Sequence, residues 1–153
     1  MRTKAISLVC ALLFAFAAVA PVGAAAPQAA QQQASLYKRL GGYDALAAVT
    51  DDFLGRMAND PQLARFFKGH NAEGLKRIRQ HIVDFLCLAT GGPCAYHGQD
   101  MKTAHTGLGI TEEDWQASVK DLNATLDKFK VPAQERSEIL GAISGLKADI
   151  VGR

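Results

Sequence analysis

The stretch "MKTAHTGLGIT" (residues 101–111) decides how this chain is interpreted, because it sets one histidine, His105, between a helix-compatible run and two glycines. Thr111, at the end of the stretch, is a suitable N-cap for a further helix. A single histidine in a small helical protein usually belongs to the packing or to the surface. The rest of the sequence must therefore show whether the chain is built around His105.

The first 25 of the 153 residues have the pattern of a secretory signal peptide. Arg2 and Lys4 form a basic start, residues 6–20 are almost wholly apolar, and "PVGAAAP" (residues 21–27) offers small residues for cleavage. The apolar run, about 15 residues long, is shorter than the roughly 20 that a membrane span needs. An uncleaved anchor is the alternative interpretation.

These features predict an exported protein, located in the periplasm after cleavage near Ala24 or Ala25. A flexible tether over residues 26–34 then precedes one folded domain over residues 35–153. That length is enough for a single domain with its own core.

Removing the signal peptide changes the balance of charges and of cysteines. The chain has 17 Lys and Arg against 15 Asp and Glu, and two of the basic residues lie in the signal peptide. The mature chain is therefore neutral, which gives no indication of a nucleic-acid partner or of a specific membrane partner. Cys87 and Cys94 remain, and they form either a disulfide or two buried thiols.

Apolar residues repeat with a period near 3.6 from Ser35 onward, and no stretch alternates as a strand does. The pattern predicts an all-α domain with four substantial helices. These cover residues 43–57, residues 75–90, a segment capped by Thr111 with Asp114 as its capping-box partner, and a segment that starts at Pro132. A short helical piece ends at Gly41-Gly42, and Pro61 breaks and restarts the helix that follows.

Residues 93–110 form an irregular segment, with one or two helical turns predicted around residues 101–105. A segment of this length in a compact domain is usually functional or disordered, and its composition is not that of a disordered region. It holds two of the four histidines, His97 and His105. We therefore expect a bound group to organise it.

Imidazole is a good ligand for haem iron, zinc or copper. His70 and His97 lie in polar turns, where we expect them to be solvated. His81 lies about 60° from Ile78 on a helical wheel, at the margin of the apolar stripe of its helix. The members of this stripe are Leu75, Ile78, Ile82, Phe85 and Ala89.

Other kinds of site have little support in the sequence. A zinc site from Cys87, Cys94, His97 and His105 is conceivable, but C-x-x-H without a second tight ligand pair is a weak signal, and a disulfide would consume both thiols. No C-x-x-C-H run indicates covalent c-type haem. No nucleophile elbow, H-E-x-x-H, P-loop or dinucleotide fingerprint is found.

Several motifs in order resemble those of the group I truncated haemoglobins. They are "SLYKRLGGYDAL", "DDFLGRM", "PQLARFF", "ATGGP", "MKTAHTGLGIT" and "LDKFKVP", and the match covers about Ser35 to Val151. The resemblance implies a shortened globin, a two-over-two helical sandwich that encloses haem b (iron protoporphyrin IX). The irregular segment corresponds to the part of the globin whose usual helix is nearly lost.

The resemblance also implies roles for individual residues. His105 matches the proximal histidine that ligates the iron, and Met101 lies in the run that positions its imidazole. The remaining haem contacts that it implies are an aromatic pair, the two walls of the distal pocket and a cation near a propionate. The aromatic pair is Phe66 and Phe67, and the walls carry Phe53 and Leu54 on one side and Ile78, His81 and Ile82 on the other. The cation is Lys102, for which a solvated lysine is the alternative.

The sequence departs from the family pattern in the distal pocket. A tyrosine is common at the position of Leu54, and a glutamine at that of Ile78 or Ile82, and these groups hydrogen-bond to bound oxygen. Leucine and isoleucine offer no donor. Counting back from Gly91-Gly92, His81 falls where some members carry a histidine that ligates the iron. His81 is therefore a second axial ligand, a donor to a bound gas, or a histidine at the surface.

The function implied is reversible binding of a diatomic gas, O₂, NO or CO, at iron held by His105. An apolar distal pocket predicts fast O₂ release and fast autoxidation. One alternative is a redox enzyme, an NO dioxygenase or a weak peroxidase, which needs an electron donor that the sequence does not identify. The other is electron transfer with iron bound by both His81 and His105.

Overall fold

The computed structural model describes residues 34–153, all of whose regular elements are helices. The predicted signal peptide and residues 26–33 of the predicted tether lie outside the described residues. The elements are α1 (Leu36–Arg39), α2 (Gly42–Asn59), a 3₁₀ helix (Ala64–Phe67), α3 (Ala72–Ala89), α4 (Met101–His105), α5 (Glu112–Lys128) and α6 (Ala133–Ile150). This confirms the all-α prediction, with α2, α3, α5 and α6 as the four long helices.

Capping residues in the sequence determine where two of the long helices begin. The side chain of Asn71 accepts a hydrogen bond from Gly74 N–H and starts α3, three residues earlier than the predicted start at Leu75. Thr111 and Asp114 form the predicted capping box at the start of α5.

Glycines end α1 and α3. Gly41 has a φ of 97° and Gly91 one of 82°, values that favour glycine over any residue with a Cβ. Gly92 has a different reason to be glycine, because a Cβ there would lie 2.7 Å from the sulfur of Cys87. The chain can therefore turn tightly at the carboxyl end of α3.

Helix α2 is the centre of the packing, since it contacts α1, the 3₁₀ helix, α3 and α5, while α4 packs against α6. The apolar core is small and lies mostly among α2, α3 and α5. Its buried members are Leu46, Leu63, Val83, Cys87, Trp115, Leu122 and Leu126.

One buried face was not predicted. The sequence placed the apolar stripe of α3 at Leu75, Ile78, Ile82, Phe85 and Ala89. The buried residues of this helix are instead Gly74, Val83 and Cys87, while Leu75 is 40% exposed and Ile78 is half-buried. Helix α3 thus has two apolar faces, one closed by the core and one left partly open.

Charged side chains also join elements that are distant in sequence. Asp52 on α2 accepts hydrogen bonds from Thr125 (2.9 Å) and Lys128 on α5, as well as from Arg56 (2.7 Å). These hydrogen bonds lower the pKa of Asp52 to about 2, and the bond from Lys128 has the largest effect.

None of the helices within residues 34–153 is long and apolar enough to cross a membrane.

Candidate functional site

His105 is the last residue of α4, a helix of one and a half turns that is fixed at its start by Asp100. The Asp100 carboxylate accepts hydrogen bonds from the backbone N–H (2.9 Å) and the hydroxyl (2.7 Å) of Thr103. These bonds lower the pKa of Asp100, and the bond from the backbone N–H of Thr103 has the largest effect. The sequence therefore encodes a short but well-capped helix at the position predicted for it.

The imidazole of His105 is half-buried, and its orientation is set by a hydrogen bond within α4. Its Nδ1 lies 2.6 Å from the carbonyl oxygen of Met101. Since a carbonyl only accepts, Nδ1 must carry a hydrogen, which leaves Nε2 as the ring nitrogen that can offer a lone pair to a metal. Histidines that bind metals are usually oriented by a hydrogen bond of this kind.

The chain that follows His105 is tied to the end of α6. Gly107 and Gly109, with φ values of 85° and 62°, allow the chain to turn away from α4. Gly109 N–H donates to the carbonyl of Arg153 (3.1 Å), and Gly152 N–H donates to the carbonyl of Ile110 (2.9 Å). His105 is thereby held on both sides, by Asp100 before it and by this backbone pair after it.

An apolar cavity of about 180 Å³ lies between α2, α3 and the 3₁₀ helix. Its lining side chains carry no hydrogen-bond donor. They are Leu54, Gly55 and Ala58 of α2, Phe67 of the 3₁₀ helix, and Leu75 and Ile78 of α3. The structure thus brings together the predicted pocket residues Leu54, Phe67 and Ile78.

The other predicted apolar contacts are half-buried and lie outside the lining of this cavity. They are Phe53, Phe66, Ile82 and Met101. Lys102 is exposed, as expected, and forms no salt bridge with any residue in 34–153. His70 and His97 are exposed too, which agrees with their predicted solvation.

A buried carboxylate, Asp114, holds the two predicted aromatic residues in place through their neighbours. It accepts hydrogen bonds from Gln62 (2.7 Å) and from Arg65 (2.5 Å), the residue that precedes Phe66. The Arg65 guanidinium also lies 4.5 Å from the centre of the Phe66 ring. Burial alone would raise the pKa of Asp114, but hydrogen bonds from Thr111 and Gln62 and the charge of Arg65 outweigh it, and the pKa is lowered.

His81 is exposed and lies against an aromatic residue that the sequence analysis missed. Its ring centre is 6.2 Å from that of Tyr96, in an edge-to-face arrangement, and the ring centre of Phe85 is 5.5 Å from that of the same tyrosine. Burial, helped by the carboxylate of Asp100, raises the pKa of Tyr96 above that of an exposed phenol. The sequence offered one signal for a role of Tyr96, which is an aromatic residue in a polar loop, two residues after Cys94.

Cys87 and Cys94 form a disulfide. It links the buried end of α3 to the loop that carries Tyr96 and His97. The zinc hypothesis is therefore wrong, because both thiols are consumed. Among the residues that the structure describes, no three His, Cys, Asp or Glu side chains are grouped so as to bind a metal ion.

Comparisons with known proteins agree with this geometry. The profile of the bacterial-like globin family matches residues 35–151. A group 1 truncated haemoglobin of Mycolicibacterium paratuberculosis is 40% identical over 119 residues, or 78% of this chain and 85% of that protein. One from Chlamydomonas moewusii is 30% identical over 119 residues, 76% of this chain and 68% of that one.

Solved structures show the same fold. The ferric truncated haemoglobin of Tetrahymena pyriformis has a TM-score of 0.71 at 28% identity, covering 78% of this chain and 99% of that chain. The 2/2 haemoglobin of a Synechococcus species, described with covalently attached haem, also gives 0.71 at 28% identity, covering 78% and 100%. These likenesses confirm the predicted two-over-two helical fold.

Proposed function

The chain belongs to the bacterial-like globin family, among the group 1 truncated haemoglobins, and on that premise we propose that it binds haem b and, through it, a diatomic gas. Haem held by one imidazole supplies an iron whose sixth coordination position accepts O₂, NO or CO. The observation that carries this function is the His105 imidazole, whose Nδ1 is engaged by the Met101 carbonyl at 2.6 Å while Nε2 stays available.

The residues present fit a haem. A flat, largely apolar macrocycle needs apolar surfaces and one nitrogen ligand, and this chain offers both. Phe66, Phe67 and Ile82 are large apolar side chains left half-buried, and covering them with an apolar ligand is favourable. Lys102, exposed and without a salt bridge in residues 34–153, leaves an ammonium available to a propionate.

The apolar cavity lining supports weak retention of oxygen. Leu54 and Ile78 line the cavity without a polar atom on their side chains. A bound gas on this side would receive no hydrogen bond from either residue. We propose that O₂ is therefore released quickly, and that the iron is oxidised more readily than in relatives with a tyrosine at the Leu54 position.

The test of haem binding is the absorption spectrum of the purified protein with ferric haem. The wild type should show a Soret band with the features of histidine ligation, and His105→Ala should lose them. Imidazole added to His105→Ala should restore them. His97→Ala is the matched control, since His97 is exposed and close by in sequence. A His105→Ala protein with an unchanged haem spectrum would overturn the assignment.

A second candidate function is electron transfer, with His81 and His105 both ligating the iron. The observation that favours it is that neither ring nitrogen of His81 has a hydrogen-bond partner within residues 34–153, so both remain available. The ferric spectrum distinguishes the two functions. A low-spin form that disappears in His81→Ala would support ligation by both histidines, and a high-spin form in the wild type would contradict it.

We also propose that the protein is exported and cleaved near Ala24 or Ala25. The sequence of residues 1–25 and a disulfide, which persists in oxidising compartments, support this proposal. The family match begins only at residue 35, which is consistent with a separate leader. Mass spectrometry of the protein from a periplasmic extract tests it. Recovery of the uncleaved chain in the cytoplasmic fraction would contradict it.

A further inference from the structure

The loop between α3 and α4 lays one aromatic ring, that of Tyr96, across two side chains of α3. His81 and Phe85 are four residues apart and so lie one above the other on the same face of the helix. Both rings meet that of Tyr96 in an edge-to-face arrangement, at interplanar angles of 85° and 70°. Edge-to-face contacts of this kind are favourable beyond the area they bury.

Tyr96 is itself held in place by three features of its loop. Its hydroxyl donates to the carbonyl of Gln99 at 2.6 Å. Gly98 leaves room for the phenol, which a Cβ at that position would overlap. Two residues before Tyr96, Cys94 is joined to Cys87 in the buried part of α3. The ring is therefore a fixed surface against which α3 side chains rest.

His81 has no comparable hydrogen-bond restraint from the other residues in 34–153. Neither of its ring nitrogens has a hydrogen-bond partner in the part of the chain that the structure describes, and the residue is exposed. The Tyr96 ring is its aromatic contact. What this contact stabilises is the exposed position of the imidazole.

We propose that Tyr96 is a positioning residue that holds the His81 imidazole in its exposed position against the α3–α4 loop and so keeps the sixth coordination position of the iron open to gas. The proposal rests on the proposed function, because it concerns access to a haem iron held by His105. An edge-to-face contact of ordinary strength changes a conformational equilibrium by about 2- to 10-fold. Loss of the Tyr96 ring should shift His81 toward the iron by that factor.

The first test compares Tyr96→Leu with Tyr96→Phe in the full chain reconstituted with ferric haem. Leucine removes the ring, whereas phenylalanine keeps it and loses only the hydrogen bond to Gln99. The ratio of low-spin to high-spin iron, measured by absorption and electron paramagnetic resonance, should rise about 2- to 10-fold in Tyr96→Leu and less than 2-fold in Tyr96→Phe. The added low-spin form should vanish in the double variant Tyr96→Leu/His81→Ala. A Tyr96→Leu protein with no more low-spin iron than the wild type overturns the proposal.

The second test needs no haem. In the haem-free full chain, the ring-proton resonances of His81 are identified by their absence in His81→Ala. Loss of the Tyr96 ring current should move them in Tyr96→Leu, while those of His70, in the turn before α3, stay in place as an internal control. Unmoved His81 resonances would overturn the proposal whatever the haem spectrum shows. Resonances that move in a protein that fails to bind haem would instead refute the proposed function.

Discussion

At the scale of single residues, Leu54 bears on how long a bound gas is retained, because it lines the apolar cavity without a polar atom on its side chain. The resemblance to the group I truncated haemoglobins implies a tyrosine at this position in many members, and leucine has no donor to offer in its place. Leu54→Tyr should restore a hydroxyl donor toward a bound gas. A hydrogen bond of ordinary net strength slows O₂ release by about 2- to 10-fold.

Stopped-flow measurement of O₂ dissociation from the ferrous protein tests this prediction. Leu54→Phe is the matched control, because it adds the same ring without the hydroxyl. The two variants should differ by the stated factor. Equal dissociation rates in Leu54→Tyr and Leu54→Phe would show that the hydroxyl does not reach the gas.

Asp52 is a carboxylate whose ionised form joins two of the long helices, α2 and α5. Hydrogen bonds from Lys128 and Arg56 hold its pKa near 2, below its ordinary value of about 4. Because the pKa of Asp52 is lower in the folded state than in the unfolded chain, its ionised form stabilises the fold. This stabilisation is complete when the pH lies above the ordinary pKa of the group, and it is lost as the pH falls through about 2.

Asp52→Asn should therefore lower the free energy of unfolding at pH 7 by about 1 to 2 kcal/mol, since it weakens charged hydrogen bonds between α2 and α5. The deficit relative to the wild type should shrink as the pH falls from 4 to 2. Urea unfolding at several pH values measures it. Asp149→Asn, on an exposed part of α6, is the control and should change little. A deficit that does not vary with pH would contradict the role given to the carboxylate.

At the scale of elements, the disulfide fixes the α3–α4 loop to the core. The bond joins residues 7 positions apart. By restricting the unfolded chain, a disulfide that closes so short a loop stabilises the folded state by about 2.5 kcal/mol. Reduction by a dithiol should lower the melting temperature by about 5–10 °C. The double variant Cys87→Ala/Cys94→Ala should melt at the same temperature with and without the dithiol. An unchanged wild-type melting temperature after reduction would contradict this prediction.

The elements also show what could be predicted from the sequence and why. Helix starts depend on neighbours a few residues away, so the Thr111–Asp114 capping box and the short helix ending in His105 were predictable. The second apolar face of α3 was not, because burial of Val83 depends on which helix packs against it. Tyr96 was missed for the same reason, since its partners lie on another element.

At the scale of the whole molecule, the distribution of burial indicates a fold completed by a ligand. The buried apolar core lies mostly among α2, α3 and α5. The predicted apolar haem contacts are half-buried instead, among them two phenylalanines of the 3₁₀ helix and the α3 residues Ile78 and Ile82. Local periodicity could place these residues on helices, but it could not show that the protein itself leaves them partly uncovered. Half-burial of large apolar side chains is the expected state when a cofactor supplies the missing contacts.

A ligand that binds only the folded state stabilises it by mass action, by about 4 kcal/mol at a thousandfold excess over its dissociation constant. Ferric haem should therefore raise the melting temperature of the haem-free protein by about 10 °C or more. Iron-free protoporphyrin IX should give a smaller rise, because it covers the same apolar side chains without a bond to His105. His105→Ala should respond to both compounds to the same small extent. If iron-free porphyrin stabilises the wild type as much as haem does, His105 contributes nothing to binding, and apolar contact alone holds the macrocycle.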